Sequence, residues 1–154
     1  MAQVQEIRRD VPSKAAVSMG VGHDQYWPNA TPVVVLSGCP WTAAGGAQRP
    51  VALSRRFATF GYPVLFACSV QSTTAWFGGP MAMPTHRLKR IMQTHTPGPG
   101  VLISHLPVPP FLEIWENAQE AGWRTVYDII DDWAEFGKAG DYIHHPDVEA
   151  AMID

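Results

Sequence analysis

Short apolar runs alternate with amphipathic stretches along most of the chain. Residues 33–36 form an apolar run that is typical of a strand buried on both faces of a sheet. From Val51 to Phe60, apolar residues recur at intervals of mostly three and four, which predicts a helix that Gly61 ends. Residues 64–68 form a second apolar run. The order strand, helix, strand predicts a parallel sheet.

The pattern continues after a break. Residues 70–83 contain Gly78-Gly79-Pro80 and two aromatic residues, Trp76 and Phe77, which predicts a long loop with exposed rings. The remaining predicted elements are a helix over 84–95, a strand over 101–104, a helix over 110–121 and a strand over 125–130. This alternation predicts an α/β fold, a Rossmann-like doubly wound parallel sheet with helices on both faces, and ligands beyond the carboxyl ends of the strands.

The chain has 154 residues, of which 46% are hydrophobic. This length predicts one domain, over 33–154, preceded by an irregular leader over 1–32 that has no sustained period. A formal net charge of −3 is close to neutral and differs from the strongly basic balance typical of proteins that bind nucleic acid, so no nucleic-acid partner is predicted. The sequence has neither an apolar run of membrane-spanning length nor a signal peptide, which predicts a cytoplasmic protein.

Two groups of residues resemble chemical motifs but are interpreted as structural. Cys39 and Cys68 match no zinc or thioredoxin spacing and are predicted to be buried thiols. His144-His145-Pro146-Asp147 is predicted to be a surface turn with Asp147 as a helix N-cap, because adjacent side chains point apart and no third ligand is near in sequence. No metal and no cofactor are predicted.

The loop after the first strand is a candidate anion site. Gly45-Gly46 leads directly into a helix that begins near Arg49. Backbone N–H groups at a helix N-terminus, together with a guanidinium, can bind a phosphate or a carboxylate. The alternative is that the glycines only allow a tight strand-to-helix turn, and the loop matches neither a dinucleotide fingerprint nor a P-loop.

Polar residues also follow the third and fourth predicted strands. His105 comes directly after a buried strand, where it could bond a ligand hydroxyl or exchange a proton, or else be a satisfied structural histidine. Asp128 is predicted inside the fourth strand, and Asp131 and Asp132 follow it. Carboxylates this close together point to solvent, a cation or polyol hydroxyls. The alternative for Asp131 or Asp132 is helix capping.

Two blocks of this sequence resemble family 4 glycosyltransferases of the GT-B fold. The first is VVVLSGCPWTAAGGAQRPVALSRRFATFGYPVLF, a strand, a Gly-Gly loop, a helix with Gln-Arg and a second strand. The second is VYDIIDDWAEF, similar to a subset that reads roughly Tyr-Asp-x-x-Asp-Asp-x-x-x-Phe. The resemblance covers about residues 33–154. It implies the N-terminal, acceptor-side domain of an enzyme that transfers a sugar from a nucleotide-sugar donor, with retention.

The resemblance also implies roles for individual residues. Gly45, Gly46 and Arg49 would contact the phosphates and sugar of the donor. In the family a histidine near the sugar often stands where this chain has Asp131-Asp132, so the role of that histidine does not transfer directly, and His105 lies on a different loop. Asp131, Asp132 and His105 are the predicted catalytic residues because they follow the carboxyl ends of the strands. Trp76 and Phe77 are the predicted contacts for the acceptor, a carbohydrate or a lipid-linked group, with peripheral contact to a membrane.

The chain departs from the family in length. The family has a second, donor-binding domain with a pair of glutamates, whereas this sequence ends at Asp154. We therefore expect a domain fragment without transferase turnover of its own. The alternative hypothesis is a non-catalytic α/β binding or protein-interaction module, in which Trp76, Phe77 and the leader form a contact surface.

Overall fold

The computed structural model describes residues 31–43, 48–94, 98–129, 131–138 and 145–154. These residues form a six-stranded, mostly parallel sheet with helices. The strands are β1 (Val33–Ser37), β2 (Val64–Cys68), β3 (Ala75–Trp76), β4 (Met81–Pro84), β5 (Val101–Ser104) and β6 (Arg124–Tyr127). The helices are α1 (Gln48–Thr59), α2 (Thr85–Thr94), α3 (Pro109–Glu120), α4 (Trp133–Lys138) and α5 (Pro146–Ile153).

The centre of the sheet confirms the sequence prediction. The strand order is β3-β4-β2-β1-β5-β6, and β1 pairs in parallel with both β2 and β5. Every residue of β1 and β2 is buried, because both faces of the sheet are covered. One face packs against α1, and the other packs against α2, α3 and α5. This α/β arrangement is compatible with a Rossmann-like fold.

The prediction of a loop over 70–83 is wrong in its second half. Residues 75–76 and 81–84 form an antiparallel pair, β3 and β4, and β4 also pairs in parallel with β2. The segment Met81–Pro84 lacks the β-branched residues typical of strands and follows Gly78-Gly79-Pro80, so its sequence did not indicate one. Pro84 therefore ends a strand, and α2 begins at Thr85.

The hairpin also corrects the prediction for one aromatic residue. Trp76 is exposed, as expected, but Phe77 is half-buried. The Phe77 ring stacks on Trp41, with the ring centroids 4.8 Å apart and the planes at 20°. The hairpin is thus attached to the loop that follows β1.

The last strand is shorter than predicted. β6 ends at Tyr127, so Asp128 lies just beyond the strand instead of inside it, and Ile130 lies outside the described residues. The predicted helix stop at Gly61 is confirmed by its φ angle of 87°, and Gly122, which follows α3, has a φ angle of 75°. Most of the predicted leader, residues 1–30, also lies outside the described residues.

The cysteines agree with the prediction in part. Cys68 is fully buried in β2, and burial raises the pKa of its thiol. Cys39 is only partly buried, in the loop after β1, where its backbone N–H donates to the Ser37 hydroxyl over 3.2 Å.

Candidate functional site

Three polar side chains meet at the carboxyl edge of the sheet. Arg49 lies in the first turn of α1, His105 directly follows β5, and Asp128 directly follows β6. Two backbone hydrogen bonds continue the sheet beyond the strand ends: His105 N–H donates to Leu36 over 3.2 Å, and Asp128 N–H donates to Ser104 over 2.9 Å. These bonds place His105 and Asp128 side by side. We call Arg49, His105 and Asp128 the rim cluster.

The Asp128 carboxylate is the centre of the rim cluster. Two nitrogens of the Arg49 guanidinium donate to it: Nε donates to Oδ2 over 2.9 Å, and Nη2 donates to Oδ1 over 2.6 Å. His105 Nδ1 lies 3.1 Å from the same Oδ2. A bidentate contact of this kind fixes the orientation of the carboxylate as well as its position. The cluster therefore has a defined shape.

His105 is the buried member of the cluster, with 2% of its surface exposed. The Ser104 hydroxyl donates to the Leu106 carbonyl over 3.2 Å, which tightens the turn that carries the imidazole inward. Nδ1 is close to Asp128 but is not aligned for a hydrogen bond, and Nε2 has no partner among the described residues. A buried nitrogen without a partner is costly unless a ligand or water satisfies it.

The charge state of His105 follows from its surroundings. Burial lowers the pKa of the imidazole from 6.5, the nearby Asp128 carboxylate raises it, and Arg49 lowers it again, with a net lowering. His105 is therefore neutral at pH 7, with one nitrogen that donates and one that accepts. Such a ring, beside a fixed carboxylate and a guanidinium, can bind a hydroxyl group or accept a proton from one.

The structure connects Arg49 to Asp128, which the sequence did not predict. The predicted anion site at the start of α1 needs Gly45 and Gly46, and both glycines lie outside the described residues. An anion at this position would share the Arg49 guanidinium with Asp128, because 64% of the Arg49 side chain remains exposed. The phosphate role of the Gly-Gly loop stays a prediction.

Asp132 has a structural contact. Its Oδ1 accepts a hydrogen bond from the Glu135 backbone N–H over 3.2 Å, which makes Asp132 the N-cap of α4. Capping was the alternative interpretation of this residue. Asp131 and Asp132 are both exposed, and no contact among the described residues joins either of them to His105 or Asp128.

Asp131 and Asp132 instead line a cleft at the β6 edge of the sheet. The cleft has a volume of about 420 Å³ and is lined by Ile129, Asp131, Asp132, Trp133 and Glu149. Glu149, from α5, accepts a hydrogen bond from the Tyr127 hydroxyl over 2.9 Å. Burial and this carboxylate raise the pKa of Tyr127. Neither Tyr127 nor Glu149 was singled out as a site residue.

The predicted acceptor contacts lie on the other side of the sheet. Trp76 is in edge strand β3, four strands away from β5 in the strand order, and Phe77 is held by Trp41. The structure therefore does not bring either ring to the rim cluster. It brings Asp128 there, which was predicted inside the fourth strand, and an earlier end to that strand is the signal that would have placed Asp128 at the edge.

The proposed surface turn near the C-terminus is corrected in one detail. His144 lies outside the described residues, His145 occupies the N-cap position of α5, and Pro146 is the first helical residue. Asp147 therefore lies in the first turn of the helix and is not the N-cap. Among the described residues, no group of three histidine, cysteine or acidic side chains is arranged to hold a metal ion.

No protein-family model matches this chain, and no curated protein or solved structure is significantly similar to it. Within the described residues, every helix is too short or too polar to cross a lipid bilayer.

Proposed function

We propose that this chain is the N-terminal, acceptor-side domain of a GT-B glycosyltransferase that transfers a sugar from a nucleotide-sugar donor. One observation carries the proposal. A buried, neutral histidine with an unpartnered nitrogen lies beside a carboxylate and a guanidinium at the carboxyl edge of a parallel sheet, which is where α/β folds bind ligands.

The chemistry of the rim cluster suits a sugar. Sugar hydroxyls both donate and accept, so they can satisfy the free nitrogen of His105 and the remaining lone pairs of Asp128 together. Arg49 is exposed enough to contact a phosphate of the donor as well. In this proposal Asp128 orients His105, and Asp131 and Asp132 do not contact the sugar.

The nucleotide itself would be held mainly by the second domain that the family has. Residues 1–154 alone should therefore bind a nucleotide sugar weakly, with a dissociation constant on the order of millimolar. For the same reason we expect no measurable sugar transfer by residues 1–154 in isolation.

The test is an NMR titration of the histidine-labelled chain with UDP-glucose and with GDP-mannose. The imidazole signals of His105 should shift on titration, and Asp128→Asn should weaken binding by roughly tenfold. His86→Gln is the matched control, since His86 is an exposed histidine on α2 and should change nothing. If His105 signals do not respond to either ligand, or respond equally in Asp128→Asn, the proposal is wrong.

A non-catalytic interaction module is the second candidate, and exposed aromatic side chains favour it. Phe60 and Trp76 are 63% and 58% exposed. Such rings are common at the centres of protein interfaces. If titration with sugars leaves His105 unchanged while a protein partner shifts the Trp76 indole signal, this candidate replaces the first.

A further inference from the structure

The two edges of the sheet differ in how well they are protected against pairing with another strand. At one edge, β3 has only two residues, so it offers few backbone groups to another chain. At the other edge, β6 has four residues, and no strand pairs with its outer side among the described residues. Its sequence is mostly β-branched and aromatic and contains neither proline nor lysine, which commonly block edge pairing. Nothing in the sequence of β6 therefore prevents a further strand from pairing with it.

The bonds between β6 and β5 determine which backbone groups of β6 point outward. The N–H groups of Arg124 and Asp128 donate to carbonyl groups of the β5 segment, each over 2.9 Å. Successive residues of a strand direct their backbone groups to alternate sides. The N–H and C=O groups of Thr125 and Tyr127 therefore point away from β5. An edge strand with such groups is a template for an added strand.

An antiparallel copy of β6 satisfies all of these outward groups in one register. When a two-fold axis passes beside Val126, Thr125 of each copy lies opposite Tyr127 of the other, and each such pair exchanges two hydrogen bonds. The two copies are then joined by four backbone hydrogen bonds. An axis beside Thr125 or Tyr127 would instead pair one of these residues with a position outside β6. The register centred on Val126 is therefore the one that β6 itself can complete.

The same register places opposite charges across from each other. Arg124 lies two positions before Val126 and Asp128 two positions after it, so Arg124 of one copy is opposite Asp128 of the other. Both side chains are on the α1 side of the sheet, because Val126 pairs with Ile103, which packs with α1, and Asp128 contacts Arg49. Arg124 is exposed and forms no ion pair among the described residues, and the Asp128 side chain is 18% exposed. Opposite charges directly across two antiparallel strands stabilise the pairing.

Val126 supplies an apolar contact at the axis. Its side chain is 44% exposed, although it lies in a strand. In the register centred on this residue the two Val126 side chains lie opposite each other, in a pair without hydrogen bonds, where the side chains of antiparallel strands are closest. The pairing therefore removes exposed apolar surface from water in both copies.

We infer that β6 pairs with β6 of a second copy of this chain, antiparallel and centred on Val126, and joins the two sheets into one. The contact uses the same surface on both copies, so the assembly closes as a two-fold dimer. A strand of another protein could use the same backbone groups, but the pairs of Arg124 with Asp128 and of Val126 with itself are specific to a second copy. The inference is independent of the proposed enzymatic function.

Sedimentation equilibrium of the full chain at increasing concentration tests the inference. We expect a monomer–dimer equilibrium with a dissociation constant on the order of 0.1 mM, because the interface is small. Thr125→Pro removes an outward N–H at a position where an edge strand tolerates proline, so it should weaken dimerisation by roughly tenfold or more. Thr125→Ala is the matched control, because it loses the same hydroxyl but keeps the N–H, and it should dimerise like the wild type.

Charge and apolar variants test the side-chain pairs of the dimer. Arg124→Glu places like charges opposite each other and should weaken dimerisation by roughly tenfold. Arg90→Glu makes the same change in net charge at an exposed position on α2 and should leave dimerisation unchanged. Val126→Lys places two ammonium groups at the axis and should abolish the dimer. Circular dichroism confirms that each variant is folded, and Val126→Lys replaces Thr125→Pro in the comparison if the proline variant is not.

Cross-linking tests the register. In a Cys39→Ser background, Val126→Cys should form a disulfide-linked dimer in a glutathione redox buffer, because opposed Cα atoms at the axis would lie within the range of about 4.4–6.8 Å that a disulfide spans. Thr125→Cys is the control and should stay unlinked, because Thr125 lies opposite Tyr127. The inference is overturned if the chain is a monomer up to about 1 mM, if folded Thr125→Pro or Val126→Lys dimerises like the wild type, or if Thr125→Cys cross-links in place of Val126→Cys.

Discussion

The rim cluster and the cleft lined by Asp131 and Asp132 contain similar residues in different surroundings. Asp128 and Asp132 lie four positions apart in one stretch of sequence, yet Asp128 holds Arg49 and a buried histidine, whereas Asp132 caps a helix in solvent. What separates them is the end of β6. The last backbone hydrogen bond of the sheet places Asp128 beside His105, and the chain then leaves the sheet.

The largest effect should come from a residue that touches neither region. Gly100 precedes β5, and a Cβ there would lie 2.7 Å from the Trp123 ring and 2.8 Å from the Pro32 carbonyl oxygen. Gly100→Ala must push β5 away from the chain entering β6, so it should lower the free energy of unfolding by about 2–3 kcal/mol. It should also disturb the His105–Asp128 contact while leaving the Asp132 cap of α4 intact.

Urea denaturation and the NMR signals of His105 measure these effects. Gly98→Ala is the control, because a Cβ at Gly98 would meet nothing within 4 Å. Equal stability of the two variants would show that the spacing between β5 and β6 tolerates a methyl group, and the rim cluster would then not depend on it.

The next effect distinguishes the two aspartates. Asp128→Asn removes the charge that holds Arg49 and faces His105, so we expect a loss of about 1–2 kcal/mol in the free energy of unfolding. Asp131→Asn, in an exposed position, should change it by less than about 0.5 kcal/mol. Thermal unfolding followed by circular dichroism compares them. Similar losses of stability for both variants would contradict the distinction between Asp128 in the rim cluster and the exposed Asp131.

A smaller effect tests the cap of α4. Asp132→Ala should cost about 1 kcal/mol, because the Glu135 N–H loses its acceptor, whereas Asp132→Asn should cost a few tenths at most. Chemical denaturation of both variants gives the comparison. If Asp132→Asn is as destabilising as Asp132→Ala, the negative charge matters more than the cap.

The smallest effect is a pH dependence. The pKa of His105 is lowered in the folded state, so the unfolded chain binds more protons as pH falls. The stability contributed by the neutral imidazole is present above pH 6.5 and is lost as pH falls below that value toward the folded-state pKa. His105→Gln should flatten this part of the stability curve.

NMR titration of the imidazole separates the causes of this shift. Asp128→Asn should lower the pKa of His105 further, and Arg49→Gln should raise it, because these neighbours act in opposite directions. A pKa that responds to neither substitution would leave burial as the sole cause.

The parts of the fold that could be predicted from sequence are those where a continuous apolar run dominates the local pattern. Residues 33–36 and 64–68 are continuous apolar runs, and they are the buried centre of the sheet. Met81–Pro84 is a strand because β2 offers it an edge to pair with, a tertiary effect that its composition does not reveal.

The candidate site was harder to predict, because it also depends on tertiary contacts that the local sequence does not reveal. His105 was identified because it follows an unmistakable strand. Its connection to Asp128 depends on where β6 ends, and one residue of error there moves Asp128 from the sheet interior to the rim. The Arg49–Asp128 pair spans most of the domain in sequence, and nothing in either local segment indicates it.

The uneven burial of tryptophan gives this chain two optical reporters in one molecule. Trp41, Trp115, Trp123 and Trp133 are each less than a tenth exposed, so their emission should change when the core opens. Trp76 is the exposed indole among the described residues, so an aqueous quencher such as iodide should reach it first. While the protein stays folded, a change in iodide quenching of Trp76 therefore reports contact at the β3 edge. A red shift in the emission of the buried tryptophans reports unfolding, and neither measurement needs an added label.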